Sequence, residues 1–166
     1  LWAVRGTAGG SVIVAGSGGV LLEKRDAGWA RSIIAEGRYL YGLWDDGGSN
    51  ILLVGFNGLV MRLNQQTWQL MNSGRTHWVK GIWSPEADRV FAVGKQGAIL
   101  QSSSEGWHDI SPELDNVDYS AVWGVGSEDF YVVGAGGTIL HYQSGSSWSI
   151  WQLQSQYNLE AIWGSG

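Results

Sequence analysis

The feature that most constrains the fold of this chain is an internal repeat of 39 to 40 residues. A Trp or Arg closes a short apolar run in every unit, and its successive positions are 39, 39, 40 and 40 residues apart. A Gly-x-x-Gly step begins 11 residues later, and another Trp follows 13 or 14 residues after its first glycine. The three aligned sets are Arg5, Trp44, Trp83, Trp123 and Trp163; Gly16, Gly55, Gly94 and Gly134; and Trp29, Trp68, Trp107 and Trp148. Matches at fixed offsets indicate a tandem array, and a residue that recurs in every unit is expected to serve the core.

The composition favours short strands joined by tight turns. The chain has 26 Gly, 11 Trp and only two Pro, and no segment shows sustained helical spacing of apolar residues. In the last complete repeat the pattern predicts strands over 119–124, 130–134, 138–142 and 148–153. The Gly134 to Gly137 step supplies the positive φ that a tight hairpin needs. Four short antiparallel strands in one repeat are typical of a β-propeller blade.

The sequence therefore predicts an all-β chain, a β-propeller with four-stranded antiparallel blades and one extra innermost strand. The predicted blades span 1–38, 39–77, 78–117 and 118–157, and the extra strand spans 158–166 because that segment repeats the register of residues 1–8. Three arrangements are open: a closed four-blade ring with one terminal strand loose, a segment of a longer propeller, or a homodimer that completes an eight-blade ring. The second is favoured, and the start at Leu1 without Met or a signal-like segment also suggests a piece of a longer protein.

The repeat resembles those of a known group of propellers. The segments 121–124 (AVWG), 129–134 (DFYVVG), 137–142 (GTILHY) and 146–149 (SSWS) are similar to propeller repeats of bacterial surface and secreted proteins. They are distantly similar to Asp-box (sialidase-type) repeats, of which 26–29 (DAGW) retains a remnant, and to photosystem II assembly factor propellers. The resemblance implies a propeller and an extracellular or cell-surface location.

Charge and residue content argue against several function classes. A net charge of -5 with scattered basic residues disfavours nucleic acid as a partner. No apolar run reaches the roughly 18 to 20 residues of a spanning helix, so membrane insertion is not expected. The three histidines, His77, His108 and His141, occupy different repeat positions, and the chain has no Cys, so we expect no metal or other cofactor. The arginines are also scattered. We find no transferable sialidase-type catalytic set, so we expect a protein that is not an enzyme; a hydrolase fragment or a purely architectural element is the alternative.

Binding specificity on a propeller lies in the loops that a rigid scaffold holds. An aromatic residue stands at or next to the start of each following innermost strand, with polar neighbours and with further residues in the turns between the second and third strands. The predicted ligand-binding residues are Tyr39, Trp78, Tyr119, Tyr157, Arg38, His77, Phe56 and Lys95. We expect them to recognise a protein or glycan partner; alternatively, the rings seal the ends of the core. Tyr119 fits the alternative better because it shares the register of Leu40 and Val79.

Overall fold

The computed structural model describes residues 1–7, 10–46, 50–64, 67–86, 89–114, 116–143, 147–153 and 156–165. They form two compact units, Leu1–Val79 and Lys80–Gly166. The chain folds into four four-stranded antiparallel sheets, and within each sheet the strands lie side by side in chain order. This is the topology of a propeller blade. The predicted fold class, an all-β chain of four-stranded antiparallel blades, is confirmed.

The first unit contains two sheets whose facing sides form its core. Alternate residues of the inner strands point into this core, as the period of two in a strand requires. Ile13 and Leu21 of the first sheet pack there with Ile51, Leu53 and Met61 of the second. The strands are β1 (Ala3–Gly6), β2 (Val12–Ala15), β3 (Val20–Arg25) and β4 (Gly28–Ile33) in the first sheet, and β5 (Leu40–Asp45), β6 (Ile51–Gly55), β7 (Leu59–Asn64) and β8 (Thr67–Asn72) in the second.

The second unit contains the third and fourth sheets. Their strands are β9 (Val79–Glu86), β10 (Arg89–Gly94), β11 (Ile99–Ser103) and β12 (Gly106–Asp109) in the third sheet, and β13 (Tyr119–Gly126), β14 (Asp129–Gly134), β15 (Thr138–Gln143) and β16 (Ser147–Gln152) in the fourth. The strands predicted for the last complete repeat agree with the fourth sheet to within two residues at each end. The agreement follows from strong local signals, since apolar residues mark these strands and glycines stand in the three turns between them.

The Gly-x-x-Gly steps position the connections between consecutive sheets. The second glycine of each step has a positive φ, as predicted for the hairpin, and the values for Gly19, Gly58, Gly97 and Gly137 lie between 66° and 72°. At the first glycine the chain is approached closely by the connector that leads into the same sheet. A Cβ at Gly55 would lie 2.1 Å from the carbonyl oxygen of Tyr39, and one at Gly134 would lie 2.3 Å from that of Asp118. Only glycine fits at either place.

The recurring tryptophans are not equally buried. Trp44 and Trp83 are buried, whereas Trp123, Trp68, Trp107 and Trp148 are half-buried. Trp29 is 55% exposed, so the expectation that it belongs to the core is wrong. It lies in the same cross-strand row as Lys24 and Val12, and the equivalent row of the second sheet faces the first sheet.

The predicted extra innermost strand at 158–166 is not formed in residues 158–165, which belong to no strand. The segment nevertheless begins along the expected path. The backbone N–H of Leu159 donates to the carbonyl of Gly134 over 2.9 Å, just as that of Leu40 donates to Gly16 over 3.1 Å. Strands β5 and β13 each pair with the strand that follows them, and the described chain offers 158–165 no such neighbour.

Candidate binding surface

Five aromatic rings lie together in the first unit at the end where the innermost strands begin. We call them the aromatic cluster: Trp2, Tyr39, Tyr41, Phe56 and Trp78. Tyr39 and Tyr41 stack almost in parallel, with centroids 6.2 Å apart and planes at 8°. Phe56 meets Tyr39 and Trp78 edge-on at 6.3 and 5.6 Å, and Tyr41 stacks on Trp78 at 5.4 Å. The rings form one connected patch, because each lies within contact range of at least one other.

Backbone hydrogen bonds hold the segments that carry these rings. The N–H of Phe56 donates to the carbonyl of Tyr39 over 2.9 Å, and the N–H of Gly58 donates to that of His77 over 2.7 Å. The pairing of β5 with β6 shifts register between Leu40 and Gly42, which leaves Tyr41 as an extra residue without a partner across the ladder. Such a bulge redirects a side chain next to a strand end. Here it places Tyr41 beside Tyr39.

The aromatic cluster is open to solvent on one side and packed on the other. Trp2 is 60% exposed, Tyr39 44% and Phe56 37%, whereas Tyr41 and Trp78 are half-buried. Burial, and to a smaller extent the neighbouring Tyr39, raises the pKa of Tyr41 above its ordinary value. The Tyr41 phenol therefore keeps its proton at neutral pH.

The segments that carry the cluster contain cations and no carboxylate. Residues 1–4, 38–42, 55–58 and 75–79 include Arg38 and Arg75 but no Asp or Glu. The carbonyl of Arg38 accepts a hydrogen bond of 2.6 Å from the N–H of Gly19. The backbone of Arg75 packs so closely on the turn at Gly58 that a Cβ there would lie 1.8 Å from its carbonyl oxygen. The sequence next to the rings is thus positively charged.

Three of the predicted binding residues, Tyr39, Phe56 and Trp78, come together in the aromatic cluster, and Arg38 and His77 directly precede two of them. Sequence reasoning missed Trp2 and Tyr41. Both stand three residues before the anchor position of their repeat, which Arg5 and Trp44 occupy. That shared register was available in the sequence, and it would have found them.

Two other predicted residues, Lys95 and Tyr157, belong to the second unit. Lys95 forms an ion pair with Asp118, with 3.4 Å between Nζ and Oδ2. The other carboxylate oxygen of Asp118 accepts a hydrogen bond of 3.0 Å from the N–H of Gln96. Tyr157 is 81% exposed. In this unit an ion pair therefore joins the turn at Lys95 to the connector that carries Asp118. The aromatic residue, Tyr157, is exposed.

Tyr119 must be removed from the predicted set, because its side chain is completely buried. It begins β13 in the register of Leu40 and Val79, which are also buried. Burial raises the pKa of Tyr119 to about 12, and its hydroxyl has no hydrogen-bond partner among the described residues. A ligand on the surface cannot reach this ring.

Two features are absent from the described part of the chain. It contains no group of three or more His, Asp and Glu side chains that could hold a metal ion. It also contains no helix with the length and hydropathy that crossing a membrane requires.

Solved structures share this fold at low sequence identity. The chain is similar to YCF48 from Cyanidioschyzon merolae, with a TM-score of 0.69 and 16% identity over 85% of this chain and 50% of that one. It is similar to YCF48 bound to D1 peptide, with a TM-score of 0.65 and 16% identity over 82% and 48%. A chain of the Mitotic Checkpoint Complex matches with a TM-score of 0.63 and 20% identity over 95% and 50%.

The chain thus spans about half the length of each of these structures. No protein-family model and no curated protein matches its sequence. At the level of the fold, the predicted resemblance to photosystem II assembly factor propellers is confirmed.

Proposed function

We propose that this chain is a non-enzymatic binding propeller and that its aromatic cluster holds an extended segment of a protein partner. The observation that carries the proposal is the cluster itself, in which three rings are at least 37% exposed and each of the five contacts at least one other. Contiguous exposed apolar surface marks interaction sites, and aromatic residues are enriched at protein interfaces. Rings that served only the core would be covered.

Charge favours an acidic partner. Residues 1–79 contain seven Lys and Arg and five Asp and Glu, a net +2, whereas residues 80–166 contain three and ten, a net -7, which together give the -5 of the whole chain. Arg38, Arg75 and His77 lie in the segments that carry the rings. A segment with Asp or Glu beside an aromatic residue or a proline would match both the apolar and the charged features, and complementary charge speeds association and improves specificity.

The structural comparisons support a peptide partner in general terms. One of the similar structures is that of YCF48 bound to D1 peptide, so a propeller of this fold accommodates a peptide. The residues around the cluster also favour binding over hydrolysis. Hydrolysis by a sialidase-type site needs acid and base groups that converge on the substrate, and the segments that carry the rings have no carboxylate.

A glycan is the second candidate, and one observation favours it. Tyr39 is 44% exposed, and its ring, stacked on that of Tyr41, offers a flat face with a hydroxyl group at its edge. A sugar ring can lie flat on such a surface, with its hydroxyl groups hydrogen-bonded by neighbouring polar side chains. Peptide remains the first candidate because the flanking cations suit carboxylates better than neutral hydroxyls.

The test is selection of a phage-displayed library of 12-residue peptides on the full chain, followed by affinity measurements with the selected peptides. We expect the selected sequences to combine Asp or Glu with an aromatic residue or proline. Binding should weaken as salt rises from 50 to 500 mM, since exposed charges are screened. The Tyr39→Ala and Phe56→Ala variants should each bind about tenfold more weakly or worse, as interface aromatic residues do.

Trp163→Ala is the matched control, because Trp163 is 83% exposed but lies outside the cluster. It should bind the selected peptides like the wild type. The proposal fails if no peptide is enriched, or if enriched peptides bind the cluster variants and the wild type equally. A glycan array probed with the same proteins gives the second candidate its own test. Tyr39-dependent binding there, without peptide binding, would identify a lectin.

A further inference from the structure

A second feature of the first unit is a cleft of about 750 Å³ between the facing sides of its two sheets. None of its lining residues belongs to the aromatic cluster. Small-molecule sites in proteins usually have volumes of about 300 to 1,000 Å³ and combine apolar walls with a few polar groups. The cleft is therefore large enough for a small organic ligand.

The cleft exists because the side chains that face it are small for their positions. One cross-strand row of the second sheet runs through β5, β6, β7 and β8 and lines the cleft; its members are Asp45, Ile51, Leu63 and Trp68. Ile13 of β2 faces this row from the first sheet. Two aliphatic side chains thus occupy the middle of the row, and one more lies opposite.

The second unit has rings at the same three positions. The equivalent row of the fourth sheet carries Phe130 and Tyr142 where the second sheet carries Ile51 and Leu63. Phe91 of the third sheet occupies the repeat position of Ile13 and lies 4.4 Å from Phe130, centroid to centroid. Phe130 in turn lies 4.9 Å from Tyr142.

A tryptophan closes the row in both units. Trp148 in the fourth sheet lies 5.6 Å from Phe130 and 5.1 Å from Tyr142. Its indole N–H donates to the carbonyl of Ile110 over 3.2 Å. In the first unit, Trp68 ends the row beside Leu63 and stands at the cleft. In the second unit, therefore, aromatic rings packed against the indole of Trp148 fill the space that is open in the first.

We propose that the cleft of the first unit binds a compact aromatic ligand with a polar substituent, which takes the place that Phe130 and Tyr142 take in the second unit. Its ring would pack among Ile51, Leu63 and the indole of Trp68. The cleft also carries hydroxyl groups and an ion pair between Glu23 and Arg25, with 2.6 Å between Oε2 and Nη2. These groups can bond a ligand hydroxyl, as water or a neighbouring group does for a half-buried tyrosine.

The test uses p-cresol as the probe, because it has the shape of the Tyr142 side chain. Titration into the ¹⁵N-labelled full chain should give saturable shifts of the Trp68 indole N–H, assigned with Trp68→Phe. Methyl α-glucoside, titrated in parallel, should give none. Saturation by the sugar and not by p-cresol would overturn the aromatic class of ligand, and absence of binding by p-cresol would overturn the site.

The decisive variant carries Ile51→Phe and Leu63→Tyr together, which copies the second unit into the first. If the cleft is open in solution, this variant folds and no longer responds to p-cresol. Leu70→Tyr is the control, because Leu70 is 69% exposed and outside the cleft, and it should bind like the wild type. Unchanged binding by the double variant would overturn the proposal, since the probe would then bind elsewhere.

A second variant tests the cleft if the Ile51→Phe, Leu63→Tyr variant does not fold. Trp68→Leu removes the indole from the end of the row and leaves the rest of the cleft in place. Its affinity for p-cresol, followed for both proteins through shifted backbone amides because the variant lacks the indole, should be about fivefold to tenfold lower than that of the wild type, as expected for the loss of one aromatic contact. An unchanged affinity would contradict the role of this indole.

Discussion

The two units follow one repeat but place their aromatic rings at different depths. In the first unit the rings gather on the surface as the aromatic cluster, and the space between the sheets is lined by aliphatic residues and left partly open. In the second unit the rings fill the space between the sheets, and the surface positions equivalent to the cluster are polar or small. Those positions hold Lys80, Lys95, Asp118, Ser120 and Ala135. Within one repeat, aromatic rings can therefore either fill the space between two sheets or lie on the surface.

The largest expected effect is in the second unit. Phe130→Ala removes a completely buried ring with four aromatic neighbours and should reduce the free energy of unfolding by about 3 to 5 kcal/mol. Ile51→Ala, at the same repeat position beside the open cleft, should cost less, about 2 kcal/mol. Urea denaturation of both variants measures the difference. An equal or larger loss for Ile51→Ala would mean that the two cores are equally well packed.

Equivalent glycines in the two units differ in how closely the next connector approaches them. Gly58 and Gly97 are both second glycines of their steps, with φ of 66° and 72°. A Cβ at Gly58 would lie 1.8 Å from the carbonyl oxygen of Arg75, whereas the nearest atom at Gly97, the carbonyl oxygen of Leu114, would be 3.7 Å away. Gly97→Ala should therefore cost only the strain of a positive φ, about 1 kcal/mol. Gly58→Ala should cost clearly more, because the connector that carries His77 must move. Urea denaturation compares the two, and equal losses would show that the connector at Arg75 is not tightly held.

The burial of Tyr119 should make the free energy of unfolding depend on pH. Its pKa is about 12 in the folded chain and about 10 in an unfolded one, so the neutral phenol is favoured by folding. The resulting stability is fully present below pH 10 and is lost as the pH rises toward 12. Tyr119→Phe should remove this loss, and at pH 7 it should stabilise the chain by roughly 1 kcal/mol, since a buried hydroxyl without a partner is removed.

Unfolding measured at pH 7, 9 and 11 for the wild type and Tyr119→Phe tests this prediction. The difference between the two proteins should widen above pH 10. A constant difference would indicate that the Tyr119 hydroxyl ionises in the folded chain as readily as in water.

Most of the fold could be predicted from the sequence because its signals are local. The glycine steps fix each hairpin, and alternating apolar residues fix the strands between them, as in β13 to β16. The extra strand at 158–166 could not be predicted from its own residues, because a strand forms only where a neighbour satisfies its backbone groups. The expected burial of Trp29 was wrong for the same reason, because a ring on a sheet is buried only where another sheet packs against it.

The binding surface was harder to predict because it depends on register to a single residue. Tyr119 stands one residue after the position of Tyr39 and Trp78 in the repeat, and a shift of one residue turns a side chain to the opposite face. Tyr41 joins the cluster through a bulge, and only its repeat register, three residues before Trp44 as Trp2 is before Arg5, marks it in the sequence. The cleft was not predicted, because it is the space between the two sheets that three aliphatic side chains do not fill.

The most direct test of the central contrast is the free energy of unfolding of the Tyr39→Ala, Phe56→Ala double variant, measured by urea denaturation. We expect the free energy of unfolding to fall by less than about 1.5 kcal/mol, because both rings are largely on the surface and substitutions there have small effects. A loss of about 4 kcal/mol or more, as expected for a core ring, would contradict it. In that case the aromatic cluster would be part of the core of the first unit, and the proposed binding surface would have to be abandoned.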